Sequence, residues 1–197
     1  MIRNLPSQTY PENLKQNVEN FPKHLNSIKY NNGFIENQNA YYDMKYGIKT
    51  IADSGCEIIA LYNAIYDLTG EVNIDFPLMI DYFEKDGIIL YGAFGTDPQA
   101  IEEYLNKSGF KTISSTEIED YPKIEEASDS FILIKYNNED DIMDMIHSIC
   151  ISKKNGKFYA HNSGSYNQQY HGYDSISDLL AHYGKAKPIY LIGIQKQ

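Results

Sequence analysis

Apolar side chains at Ile58, Leu61, Tyr62, Ile65 and Leu68 recur at helical spacing and predict a core-facing helix from Cys56 to about Thr69, with Gly70 as its stop. Met79, Ile80 and Phe83 mark the inner face of a second helix from about Phe76 to Glu84. Gly87 to Gly95 reads as a glycine-marked loop or short strand. Thr96-Asp97-Pro98-Gln99 then opens a third helix, because a capping residue precedes a proline near the first helical position. Ala100, Ile101, Tyr104 and Leu105 face its core side, and Ser108-Gly109 ends it.

Beyond this point the period shortens. Phe110 to Ile113 is a short strand, and the acidic stretch 114–128 a short helix or loop. Ser130 to Tyr136 is a continuous apolar run, expected as a central strand buried on both faces. The acidic residues Glu139 to Asp144 connect it to two further strands, His147–Ser152 and Lys157–Asn162. A Tyr/Gly/Gln loop, a helix from about Ser175 to His182 and a closing strand from Pro188 to Ile194 complete the chain. Helices first and strands later is an α+β pattern.

Residues 1–46 differ from the rest: they are polar, rich in Asn and broken by Pro6, Pro11 and Pro22, with only Leu14, Val18 and Phe21 hinting at a short amphipathic helix. This arm is readable as a wrap, lid, pro-segment or linker, and residues 47–197 as the folded domain. A net charge of −10 argues against a nucleic-acid partner and against adhesion to an anionic membrane surface. No apolar run approaches the length of a membrane-spanning helix, and the first residues lack a signal peptide's apolar stretch. Two cysteines are too few for a disulfide framework. Reduced thiols fit a cytoplasmic setting, or export by a route that leaves no trace in the sequence.

The segment Ser54-Gly55-Cys56-Glu57 carries the chemistry. Ser54 and Glu57 have capping-box spacing, which sets Cys56 in the first helical turn. Unpaired N–H groups and the positive helix end there favour a thiolate. The plainer reading is a small buried residue opening a core helix.

Asn155-Gly156 predicts a two-residue hairpin turn. Lys154 then pairs with Lys157, Ile151 with Ala160, and Ile149 with Asn162. His147, Ile149, Ile151 and Asn162 share one face, apolar apart from its ends, so that face is expected against the core. His147 and Asn162 become diagonal neighbours, with the Asn carboxamide available to orient the imidazole. Joined to Cys56, this gives nucleophile, base and orienter. The opposite face carries Ser148, Cys150, Ser152, Tyr159 and His161, with Cys150 facing His161 in a mid-strand position that offers no helix dipole. A zinc set of His147, Cys150, His161 and His171 has no common structural-zinc spacing. His24 and His182 read as solvated or helix-end residues.

Ser54-Gly55-Cys56 opening an apolar helix, the strand Phe131–Tyr136, His147 at a strand start and Asn162 in Phe158-Tyr159-Ala160-His161-Asn162-Ser163 together resemble the papain-like cysteine peptidase superfamily. The likeness is nearest to the bacterial branch of bacteriocin-processing (double-glycine leader) peptidases and covers about Tyr46 to Ile194. It implies a papain-like α+β fold, its nucleophile helix packed on a C-terminal antiparallel sheet. It also implies a cysteine-dependent hydrolase that cleaves an amide bond of a protein or peptide through a thioester, with a Cys56–His147–Asn162 triad and no metal or organic cofactor. A glutamine deamidase or transglutaminase-like bacterial effector, and a catalytically silent binding module, use the same fold. The family usually carries a Gln about six residues before the Cys; here position 50 is Thr. Thr50 and the Cys56 N–H are the expected oxyanion donors, and Tyr166, Gln168 and Tyr170 the expected cleft lining.

Overall fold

The computed structural model describes residues 10–71, 75–138, 140, 146–164 and 170–196. The chain begins with α1 (Pro11–Asn20) and α2 (Leu25–Tyr30), followed by a two-strand ribbon, β1 (Lys45–Tyr46) with β2 (Lys49–Thr50). A single turn α3 (Ile51–Ser54) leads into α4 (Cys56–Thr69), then α5 (Phe76–Lys85) and α6 (Pro98–Lys107). The remainder is β3 (Lys111–Ser115), α7 (Tyr121–Ala127), β4 (Ser130–Tyr136), β5 (Ile146–Lys154), β6 (Lys157–His161), α8 (Ile176–His182) and β7 (Lys187–Gln195). The result is α+β: a five-stranded antiparallel sheet of order β3-β7-β4-β5-β6, with helices on both faces.

Local chemistry sets the boundaries. Gly70 stops α4 in the left-handed conformation at φ 68°. Asp75, Asp97 and Ser175 cap α5, α6 and α8 by accepting from backbone N–H groups of the first turn. Asn155 (φ 52°) and Gly156 (φ 74°) both take positive φ, the two-residue turn that suits the twist of a hairpin. Lys154 faces Lys157, Ile151 faces Ala160 and Cys150 faces His161, as the counting required.

The sheet separates two cores. Ile132, Ile134, Cys150, Ile192 and Ile194 pack with α4 and α5 on one face. Phe131, Leu133, Ile149, Ile151 and Leu191 pack with α7 and α8 on the other. Alternation along β4 feeds both, which is why its sequence is continuously apolar. α4 is buried on nearly all sides, so its apolar surface exceeds a single stripe.

The N-terminal residues are built into the first core: Ile28, Ile35, Tyr41, Met44 and Tyr46 are buried in it. In α1 the buried residue is Asn17, whose amide donates to the Lys45 carbonyl and whose oxygen accepts the Lys45 N–H, whereas Val18 faces solvent. The apolar spacing therefore misjudged the inner side of this helix. His24 is also less exposed than its sequence suggested, since it bonds Asp43 Oδ1 at 2.8 Å and stacks on Tyr41. No helix among the described residues is long and apolar enough to cross a membrane.

Candidate active site

The capping box lies one turn earlier than the sequence suggested. Thr50 caps α3 by accepting the Asp53 N–H, and the Asp53 carboxylate accepts the Thr50 N–H in return. The Thr50 hydroxyl, bonded to Asp53 Oδ2 at 2.7 Å, is thereby committed to the cap rather than offered as an oxyanion donor. Gly55 is the N-cap of α4 and has no side chain to cap with. Its conformation answers to crowding: a Cβ there would come within 2.6 Å of Ile51. Ser54, freed from capping, has a buried hydroxyl with no hydrogen-bond partner.

Cys56 opens α4 as expected, buried but lining a cavity of about 380 Å³. Asp53, Ser54 and Glu57 stand beside it, and the walls are mainly apolar, from Ile89, Phe94, Ile134, Tyr136, Ile146 and Ile189. Phe94 sits at the rim, 68% exposed, on a loop that holds Leu90 and Tyr91 in the sparsely populated positive-φ region. Burial, then the neighbouring Glu57 charge, push the Cys56 thiol well above its ordinary range. The Ser148 N–H and hydroxyl face the sulfur and oppose that rise. Burial thus works against the low-pKa thiol expected at a helix start.

Glu57, read from the sequence as half of a cap, is a buried carboxyl. Burial lifts it to about 7, against the favourable influence of its own N–H, the Cys56 thiol, Ser148 and the Thr96 N–H. Ser148 Oγ donates to Oε1 at 3.4 Å, and Oε2 has no partner. Gly95 (φ 70°) makes room for it: a Cβ there would lie 2.5 Å from Oε2.

His147 stands at the start of β5, at the same end of the sheet, yet it points away from α4. Along β5 the helix face belongs to Ser148 and Cys150, so His147 follows Ile149 and Ile151 toward the other face. The hairpin register is correct; the face that meets α4 is the opposite one. His147 Nε2 donates to the main-chain oxygen of Asn162 at 2.6 Å, not to its carboxamide. Asn162 leaves β6 at φ 56°, and its side chain exchanges hydrogen bonds with Gln38, accepting the Gln38 N–H at 3.0 Å. Burial, then Lys135, lower the His147 pKa against the pull of the Asn162 carbonyl.

His147 and Asn162 line a second, polar cavity of about 430 Å³ with Glu36, Gln38 and Asn39. Cys56 lies in the first cavity, and no hydrogen bond joins it to His147 among the described residues. What separates them is short: the sulfur faces the N–H of Ser148, the residue after His147. Gln38 reaches toward α3 from outside the position where the resemblance places a Gln, with its amide donating to the Ala52 carbonyl at 3.0 Å. Tyr170 is exposed, and Tyr166 and Gln168 fall outside the described residues.

Cys150 is fully buried beside the Ser130 hydroxyl. Its strand partner His161 donates from Nδ1 to Glu36 at 2.6 Å, meets Ser152 Oγ through Nε2 at 2.9 Å, and stacks on Phe34. His161 is thus a structural clasp between the arm and the sheet. Among the described residues, no group of three or more His, Cys, Asp or Glu side chains is placed to hold a metal ion.

No protein-family model matches the chain, and a search of curated proteins finds no relative.

The sequence reading missed Glu57, Ser148 and Gln38. Glu57 was legible only as half of a capping box. Ser148 needed the sheet face that α4 covers, and Gln38 needed the path of the arm.

Proposed function

We propose that this chain is a cysteine-dependent acyl hydrolase of papain-like architecture that cleaves an amide bond on an apolar acyl group. One observation carries the reading: Cys56 lines an apolar-walled cavity together with two residues that hold buried polar atoms without partners, Ser54 Oγ and Glu57 Oε2. Buried unpartnered oxygens cost about 1–3 kcal/mol each, a cost that a bound polar group in the cavity would relieve. The papain-like layout is supported by a helix opening on the cysteine and packed on an antiparallel sheet, with His147 and Asn162 at the same sheet end.

In this reading Cys56 attacks the carbonyl carbon, and the acyl group rests as a thioester while the amine leaves. The Ser148 N–H, which faces the sulfur, is a ready donor to charge forming beside it. A second reading, a ligand-binding module without catalysis, is favoured by the raised thiol pKa and by His147 being held on a main-chain carbonyl.

The two separate on incubation with a proteome, followed by mass spectrometry. New peptide termini that vanish with Cys56→Ala support a peptidase. Gln-to-Glu changes of about +1 Da that vanish with the same variant identify a deamidase. Neither change, together with no acyl adduct on Cys56 from activated esters, leaves the binding module.

A further inference from the structure

We propose that Glu57 carries the proton for Cys56, accepting it from the thiol and delivering it to the leaving group. This rests on the reading of Cys56 as a nucleophile. It stands on four placements. The carboxyl adjoins the thiol in the first turn of α4. Both residues line the same cavity. Oε2 is buried and has no partner, while Oε1 is held by the Ser148 hydroxyl. Gly95 closes over the carboxyl with no room for a side chain, which fixes its position. His147, the expected base, lines the other cavity and is bonded to Asn162.

The steps balance. Glu57 Oε2 takes the Cys56 proton as sulfur bonds to the carbonyl carbon and the C=O π pair moves to oxygen. That pair returns, the C–N bond breaks, and the amine departs with the proton from Glu57. Water then attacks the thioester, giving its proton to the Glu57 carboxylate. The C–S bond breaks, and the proton returns to sulfur. Amide and water have become acid and amine, with no other reactant.

A carboxyl that titrates near 7 is matched to both halves of this cycle. The titratable groups around it are Cys56 on its own helix, Asp53 from α3 at the cavity edge, and Tyr46 from β1, whose hydroxyl bonds Thr96. Ser148 from β5 contributes a hydroxyl and no charge.

The test uses the N-acetyl-leucine p-nitrophenyl ester, whose leaving group departs without a proton. Intact-mass kinetics follow acylation of Cys56 and its hydrolysis separately. Glu57→Gln is expected to slow both the acylation of Cys56 and the hydrolysis of the thioester, each about 10²-fold. Wild-type hydrolysis is expected to rise through pH 7, and that limb to disappear in E57Q. Acylation or hydrolysis at the wild-type rate in E57Q overturns the proposal. Loss of hydrolysis in His147→Ala with retention in E57Q assigns the proton to the imidazole and also overturns it. A wild-type protein that never acylates at Cys56 instead defeats the parent reading. Should E57Q fail to fold, ¹³C NMR of the Glu57 carboxyl replaces it. The titration midpoint is expected to move upward in Cys56→Ala, and an unmoved midpoint overturns the coupling.

Discussion

His147 gives its Nε2 proton to the carbonyl oxygen of Asn162 across 2.6 Å, and this fixes the imidazole tautomer. A carbonyl only accepts, so Nε2 carries the hydrogen and Nδ1 keeps the lone pair when the ring is neutral. The main chain, not the carboxamide, does the orienting. Asn162→Ala should therefore leave the His147 ring signals in ¹⁵N spectra at the wild-type tautomer. It should also cost about 1 kcal/mol, because alanine at φ 56° is strained. Asn162→Gly should lack that strain. A tautomer change in Asn162→Ala would return the orienting role to the side chain.

Glu36 fastens the arm to the sheet. Its Oε1 accepts from His161 Nδ1 at 2.6 Å and its Oε2 from the Asn162 N–H at 2.8 Å. Glu36→Ala orphans two buried donors, so a loss of roughly 2–5 kcal/mol is expected in urea unfolding. A chain beginning at residue 47 forfeits more, since Ile28, Ile35, Tyr41, Met44 and Tyr46 all lie in the first core. It should show neither cooperative unfolding nor dispersed amide NMR signals. A folded, cooperative 47–197 fragment would make the arm a dispensable appendage.

Most of the architecture was legible because its signals are local. The stripe on α4, the Pro98 start, the apolar run of β4 and the Asn155-Gly156 turn each depend on residues a few positions apart. The hairpin register followed from one turn and a period of two. Counting alone cannot say which face of β5 meets which helix, because both are apolar enough to be buried. That single binary choice moved His147 away from Cys56. The arm failed for another reason: its buried Ile28, Ile35, Tyr41, Met44 and Tyr46 follow no single period, and Asn13, Asn17, Glu36 and Gln38 anchor it by polar contacts that leave none to read.

Buried carboxyls give the stability a distinctive pH dependence. Glu57 and Glu84 are both raised to about 7, chiefly by burial. Between their unfolded pKa and 7, the native state holds protons that the unfolded chain has released. Stability therefore falls as pH rises through that window. For Glu57, a lift from 4.5 to about 7 corresponds to on the order of 3 kcal/mol lost across it. His147 works the other way: its depressed pKa removes stability as pH falls through 6.5. Urea unfolding followed by far-ultraviolet circular dichroism should show lower stability at pH 8 than at pH 5. Glu57→Gln should flatten that slope and unfold later than wild type at pH 8. An unchanged slope in the variant would mean that the Glu57 carboxyl titrates normally.

Gly95 and Glu57 should behave as one unit. An alanine at 95 meets two penalties: about 1–2 kcal/mol for a side chain at φ 70°, and a clash at 2.5 Å with Glu57 Oε2. The first is intrinsic to the backbone and survives any change at 57. The second exists only while the carboxyl is there, with Oε2 at 2.5 Å from the added Cβ and Oε1 accepting from the Ser148 hydroxyl at 3.4 Å. A double-mutant cycle isolates it: Gly95→Ala measured in wild type and in Glu57→Ala should differ by at least about 1 kcal/mol, with the smaller cost in the Glu57→Ala background. In the wild-type background, Gly95→Ala should also displace the carboxyl from Cys56 and, on the proposed function, slow thioester hydrolysis. Additive costs would mean that the loop yields freely at 95, and that nothing but α4 itself holds the carboxyl against the thiol.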